Sequence, residues 1–318
     1  MPIRNPCTIS LAQHSDLAES LRPRLEVEEY FARSGRTFRK SRFRLWFNRR
    51  IKTAILKLFF QGMGFYRRGV RNALSPVVRR IPIYFEGLPE AFDGFEILHL
   101  SDFHIDEMEG LAETFAPVLR ELRPDLCVLT GDYRFETSGS CEEVYRRMQT
   151  VLSAISARQG TIGILGNHDA AEMAFRFEQM GVRMLINDAV ELRCGHSSLW
   201  IAGVDDSFDY RCADLSRAMA DTAKDGFHIL LAHSPELYSD AADCGVRLYL
   251  CGHTHAGQVR IPFLGAVKKN APVPRPLVQG QWKFGSMQGY TSWGAGCSTL
   301  PIRYNCPPEI ALIQLCRK

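Results

Sequence analysis

Five short apolar runs in this chain each break off at a residue able to bind a metal ion. FEILHL (95–100) leads into Ser101-Asp102-Phe103-His104, LCVLT (126–130) into Gly131-Asp132, and TIGIL (161–165) into Gly166-Asn167-His168-Asp169. FHILLA (227–232) ends at His233, and VRLYLC (246–251) at Gly252-His253-Thr254-His255. Segments with helical spacing, 111–122 and roughly 141–157, lie between them. Strand-like runs alternating with helical ones predict a layered α/β fold. In such sheets ligands bind beyond the carboxyl ends of the strands, so five such turns can line one crevice. His253 and His255, two residues apart in extended backbone, would point the same way.

Each turn alone has an ordinary reading. Asp102 could cap a helix, Gly131-Asp132 is a common turn, and Asn167-His168-Asp169 could be a capped turn. His233 precedes Ser234-Pro235, a pattern that also starts helices. The order and the repeated position behind strands are what distinguish them. His99, inside its strand, reads as a core or outer-sphere histidine, and His196 and His228 as structural or surface residues. Asp205 and Asp206, after SLWIAGV (198–204), read equally as substrate contacts or loop carboxylates. Glycines 131, 166 and 252 allow tight turns beside a metal or phosphate.

In this order, D-x-H, G-D, G-N-H-D, H and G-H-x-H, the chain resembles the calcineurin-like metallophosphoesterases over residues 81–318. The resemblance implies a four-layer α/β/β/α sandwich with a binuclear metal centre at the strand ends. It makes Asp102, His104 and His255 ligands of a first ion and Asp132 the carboxylate bridging both. Asn167, His233 and His253 become ligands of the second. His168 becomes the catalytic histidine off the metals, with Asp169 orienting its imidazole. The chemistry is consistent: two divalent ions about 3.5–4 Å apart need a shared anion, activate a hydroxide for attack on phosphorus and offset phosphoryl charge. A free histidine can protonate the leaving oxygen. Mixed imidazole, carboxylate and carboxamide donors suit manganese, the ion we expect, with Fe, Zn, Co and Mg also compatible.

Charge divides the chain. Residues 30–85 hold 15 Lys or Arg and no Asp or Glu, whereas residues 86–318 hold 21 basic and 30 acidic residues. We expect residues 1–80 to form a basic amphipathic helical extension and 81–318 the catalytic domain. Within 45–65, Phe47, Ile51, Ala54, Ile55 and Leu58 share one helical side and Arg49, Arg50, Thr53 and Lys57 the other. That pattern fits a helix in a membrane interface, so residues 36–71 are expected to meet an anionic membrane surface. The alternative is a helix packed on the body. Its charges interrupt the segment too often for a transmembrane span, and MPIRNPCTISLAQHSD lacks the apolar core of a signal peptide. The ten scattered cysteines form no C-x-x-C pair and are read as reduced thiols, Cys251 as a small buried residue. The expected location is cytoplasmic, peripheral at the inner face of the membrane.

SDFH, TGDY, GHTHAGQ (252–258) and the tail Pro301-Ile302-Arg303 with Pro307-Pro308-Glu309-Ile310 are most similar to the branch with GHTHGGQ endings. That branch resembles the UDP-2,3-diacylglucosamine pyrophosphatases, and its members often carry a transmembrane helix where this chain has its basic arm. Ala256 replaces the usual glycine. The resemblance implies a phosphohydrolase acting on a lipid-linked or membrane-presented phosphoester. A soluble phosphodiesterase or nuclease is the alternative, ranked lower because no nucleic-acid-binding motif accompanies the charges. A non-catalytic scaffold on the same fold is the last reading. The Pro- and Gly-rich stretch 262–289 is expected to be an extended loop, with Trp282 and Phe284 either shaping a substrate pocket or covering a sheet edge.

Overall fold

The computed structural model describes residues 7–10, 16–35, 42–266 and 271–318, with backbone alone for residues 10, 42–50 and 52. In chain order, β1 (Cys7–Ser10) precedes three helices, α1 (Leu17–Ser34), α2 (Arg42–Gly62) and α3 (Tyr66–Ala73). Then come β2 (Val77–Phe85), β3 (Phe95–Leu100), α4 (Leu111–Arg120), β4 (Leu126–Leu129), α5 (Glu142–Leu152) and β5 (Thr161–Gly163). Next are α6 (Glu172–Gln179), β6 (Val182–Met184), β7 (Asp188–Cys194), β8 (Ser197–Gly203), α7 (Leu215–Met219) and β9 (His228–Leu231). The remainder is α8 (Tyr238–Asp243), β10 (Leu248–Cys251), β11 (Arg260–Ile261), β12 (Gly265–Ala266), β13 (Gly280–Phe284), β14 (Met287–Thr291) and β15 (Glu309–Arg317).

One sheet has the order β2-β15-β3-β4-β5-β6, the other β1-β7-β8-β9-β10-β14-β13. Alternation within each strand explains the stacking. Ile97, Val128 and Ile162 of the first sheet meet Ile201, Ile229 and Leu250 of the second in one core. Their strand neighbours point outward: Leu98 and Leu129 onto Phe115, Met148 and Phe177, Leu230 and Tyr249 onto Leu215 and Ala241. Both faces of each central strand are thus buried, which is why the runs are nearly all apolar. The result is the expected α/β/β/α sandwich. β3, β4 and β5 run parallel in one sheet, and β8, β9 and β10 in the other.

The expected boundary at residue 81 falls inside β2, which pairs with β15 from Val77↔Glu309 to Phe85↔Arg317. β1 joins the edge of the second sheet against β7. α1, begun by the Asp16 carboxylate accepting from Ala18 N–H at 3.0 Å and closed by left-handed Gly35, buries Leu21 in the core. Residues 1–80 are therefore not one appended extension; only α2 keeps that character. Residues 36–41 of the expected membrane arm, and the side chains of Phe47, Arg49 and Arg50, lie outside the described residues. No described helix is long and apolar enough to cross a membrane.

Two further expectations change. The stretch 262–289 contains β12, β13 and the start of β14 rather than one loop. Trp282 is buried against Tyr249, its Nε1–H donating to Thr291 Oγ1 at 2.9 Å, so it covers the sheet edge. Cys7 and Cys194, directly opposite in the β1–β7 register, form a disulfide, contrary to the all-thiol reading. Register placed them together; no spacing in the sequence signals it. Protein purified without reductant and denatured should titrate eight thiols, rising to ten after reduction. Ten before reduction would exclude the bond.

Candidate metal centre

The turns behind β3, β4, β5, β9 and β10 meet at one end of the sandwich. Asp102, His104 and His255 form one buried group and Asp132, His233 and His253 another, each with donor atoms within 4.8 Å of one another. Asp132 Oδ2 stands between them, 3.5 Å from His104 Nε2 and 3.2 Å from His233 Nε2. Asn167 Oδ1 completes the second group, 3.0 Å from both His233 Nε2 and His253 Nδ1. All seven residues singled out as ligands are brought together.

Backbone carbonyls fix which ring nitrogens face inward. His104 Nδ1 donates to Arg134 O at 2.9 Å and His233 Nδ1 to Thr130 O at 2.7 Å, leaving each Nε2 to bind in the crevice. His104 Nε2 and His255 Nε2 then confront each other at 3.1 Å. Two acceptor nitrogens so placed, beside a buried carboxylate, suit a shared cation. The His255 Nδ1 atom is buried without a hydrogen-bond partner. The donor set therefore fits two divalent ions.

Electrostatics agree. Burial pushes His104 down to about 3 and Asp102 up to about 6. Burial would also lower His233, but the Asp132 carboxylate outweighs it and holds the imidazole up to about 10. Burial would raise Asp132, yet His233 and His168 keep it well below the usual carboxylate range. Because the ligands must be deprotonated to bind, a cation competes with protons for the His233 Nε2.

Backbone strain concentrates here. Asp102, His104, Asp132, His253 and His255 all have positive φ, 54°, 41°, 56°, 67° and 50°, a conformation costly for residues with a Cβ and characteristic of functional sites. Ala256 is also left-handed, φ 48°, a conformation that glycine adopts more easily. The site also leaves no room at Gly252, where a Cβ would lie 2.0 Å from Ser101 Oγ and 2.2 Å from Asp102 Oδ2. Gly252→Ala must displace the Asp102 carboxylate, and we expect kcat/KM to fall on the order of 10²-fold. Steady-state kinetics at saturating metal test this; wild-type kinetics would mean that Asp102 is not held against this turn.

His168 is half-buried at the rim, its ring 4.8 Å from that of His104. Its Nδ1 donates to Phe135 O at 2.5 Å, not to Asp169. The Asp169 carboxylate instead accepts from the N–H groups of Asp132, Tyr133 and Gly166 at 2.8–2.9 Å. It ties the turns behind β4 and β5 together, so the expectation that it orients the His168 imidazole is corrected. Asp205 and Asp206 are buried loop carboxylates. Asp205 pairs with Arg24, and Asp206 accepts from the N–H groups of Phe208, Asp209 and Tyr210. His99 Nε2 lies 2.9 Å from Thr130 Oγ1, behind the residue whose carbonyl steers His233. His228 lies near Thr222, and His196 is exposed.

Three residues were missed. Asp209 accepts from Asn167 Nδ2 at 3.0 Å and so turns Oδ1 toward the histidines. Phe208 packs on His253, ring centroids 4.3 Å apart. Arg24 of α1 donates to Gly166 O at 2.6 Å and Asp169 O at 2.7 Å, bracketing Asn167 and His168 from behind. Asp209 lay within reach of a sequence reading, four residues past Asp205 in the acidic turn behind β8. Arg24 carried no signal.

Comparison with known proteins adds relatives to this geometry. A family model described as calcineurin-like phosphoesterase matches residues 95–257. The metallophosphoesterase YkuE of Bacillus subtilis is 32% identical over 243 residues, 72% of this chain and 81% of that protein. Phosphodiesterase YaeI of Escherichia coli is 29% identical over 232 residues, 70% of this chain and 82% of its own length. A transmembrane protein with metallophosphoesterase domain from Danio rerio is 29% identical over 265 residues, 77% of this chain and 59% of that protein.

Proposed function

The chain belongs to the calcineurin-like phosphoesterase family and is a metal-dependent phosphohydrolase, and we propose that it cleaves a lipid-linked phosphodiester or pyrophosphate presented at a membrane, such as UDP-2,3-diacylglucosamine. The observation that carries the reaction class is Asp132 Oδ2 set between two buried histidine-carboxylate groups. Asp102, His104, His255 and Asp132 would hold one ion, and Asp132, Asn167, His233 and His253 the other. When bound, two such ions supply Lewis-acid charge and an activated water. Manganese is the proposed pair.

The protein's own residues do the rest. His168 has Nδ1 committed to Phe135 O, which leaves Nε2 as the atom that, in the imidazolium form, can donate a proton to the leaving oxygen. Its backbone N–H, bound to Asp132 Oδ1 at 2.9 Å, fixes its place relative to the bridging carboxylate. Asp169 and Asp209 hold the turns and the carboxamide in register.

Support for membrane presentation comes from the basic segment 30–85 and from exposed apolar residues on α2, a combination suited to an anionic interface. The Danio rerio relative is, by its name, a transmembrane protein. The name of the Escherichia coli relative favours a second reading, a phosphodiesterase acting on soluble diesters. The discriminating experiment is Mn-dependent hydrolysis of UDP-2,3-diacylglucosamine beside bis-p-nitrophenyl phosphate. Turnover of the lipid nucleotide supports the proposal. Turnover of the soluble diester alone overturns the substrate and leaves the reaction class. Peripheral placement at the inner face belongs to the same proposal, and Cys7–Cys194 is its check, because a bond persisting in protein quenched directly from cells would argue for an oxidising compartment.

A further inference from the structure

Among the described residues sixteen large apolar side chains are exposed, and ten fall in two segments, 51–65 and 261–264. The first is α2 with the turn after it; the second is the hairpin β11–β12. Both are built in ways unlike a helix or hairpin covering its own core.

α2 faces the body with its less apolar side. Thr53 Oγ1 donates to Thr299 O at 3.4 Å, and the Phe60 ring stacks on Tyr304 with centroids 6.1 Å apart and planes 14° from parallel. At about 100° per residue the opposite side carries Ile51, Ile55 and Leu58. These are 42%, 61% and 68% exposed. That stripe thus points away from the contacts α2 makes with the body.

The hairpin pairs Arg260 with Ala266 and Ile261 with Gly265, and its tip holds Phe263 fully exposed and Leu264 80% exposed. Phe263 has φ 66°, so the turn places an aromatic residue where glycine would fit more easily. Tyr304 links the two segments. Its N–H donates to Gln258 O at 3.1 Å, its carbonyl accepts from Arg260 N–H at 3.0 Å, and its hydroxyl donates to Phe65 O. Gln258 is three residues past the ligand-set member His255. Helix, hairpin and metal loop are thus fastened to one residue.

We propose that the Phe263–Leu264 tip and the Ile51–Ile55–Leu58 stripe insert together into an anionic bilayer. The inference rests on the membrane-presentation reading and deepens it. Both elements are convex, a tip and a ridge, which suits headgroups and acyl chains rather than a protein groove. In sequence both elements keep basic company: no acid falls between residues 30 and 85, Arg260 opens the hairpin, and Lys268-Lys269 follow it.

The test is sedimentation of the full chain, with Mn present, on phosphatidylcholine vesicles with and without phosphatidylglycerol. Wild type is expected to prefer the anionic vesicles. Phe263→Ser/Leu264→Ser and, separately, Ile55→Ser/Leu58→Ser should each weaken partitioning on the order of 10²-fold, with bis-p-nitrophenyl phosphate turnover unchanged. A hairpin variant that partitions like wild type overturns the two-point surface while membrane docking through α2 stands. Wild type that binds neither vesicle yet hydrolyses the lipid nucleotide in detergent overturns the surface and leaves the substrate. Failure on both counts removes both. Loss of self-association in the hairpin variant, without vesicle binding by wild type, overturns the proposal in favour of a protein interface.

Discussion

Asp132→Asn is expected to lower kcat/KM for bis-p-nitrophenyl phosphate on the order of 10³-fold while the fold survives. The carboxamide keeps the size of the side chain and an oxygen for His168 N–H, which Asp132 Oδ1 accepts at 2.9 Å. What goes is the anion shared by the two histidine groups, 3.5 Å from His104 Nε2 and 3.2 Å from His233 Nε2. A bridging carboxylate offsets the repulsion between two divalent ions, and losing several kcal/mol of that stabilisation corresponds to about three decades in rate. Metal content by mass spectrometry, circular dichroism and steady-state kinetics check ion retention, fold and rate. Two ions retained with activity within tenfold of wild type would refute the bridging role.

That role was legible because it is local. Each ligand sits within four residues of a strand end, and a strand announces itself by its own apolar run, so position and chemistry are written side by side. The layers were legible for the same reason, since central strands buried on both faces need unbroken apolar stretches. What escaped depends on distance along the chain. Asp169 follows His168 in sequence, and adjacency suggested that it orients the imidazole. The fold turns its carboxylate instead toward the N–H groups of Asp132, Tyr133 and Gly166, two of them more than thirty residues upstream. Cys7 and Cys194 are 187 residues apart and meet only through the β1–β7 register. The periodicity of α2 was correct, yet periodicity does not say which side meets the body, and Thr53 and Phe60 do. Residues 1–80 looked like one extension because nothing local in them announces that β1 and β2 join the sheets through long-range pairing.

Arg24→Ala is expected to destabilise the protein by about 3–5 kcal/mol, although Arg24 lies in a segment that composition alone would assign to a dispensable arm. Its guanidinium is fully buried, with Nη1 on the Asp205 carboxylate and Nη2 on Gly166 O and Asp169 O at 2.6 and 2.7 Å. The Tyr210 ring lies under it, 3.8 Å from Cζ. Truncation leaves the Asp205 carboxylate, 1% exposed, without its cation and removes a donor from two carbonyls. Lysine keeps the charge but lacks the planar fork that serves carboxylate and carbonyls at once, so Arg24→Lys should recover part of the loss. Because the two carbonyls flank Asn167 and His168, the damage should reach the site: at saturating metal, kcat/KM of the folded Ala variant should drop on the order of 10²-fold. Replacing both partners, Arg24→Leu with Asp205→Leu, separates the contributions. Stability should rise above that of the single variant because no charge is left buried alone, whereas activity should stay low because the carbonyls still lack their donor. Urea unfolding and kinetics on the same samples read both quantities. A loss below about 1 kcal/mol in Arg24→Ala, the size of an exposed ion pair, would mean that α1 is not part of the folded core and that the metal-site turns hold themselves.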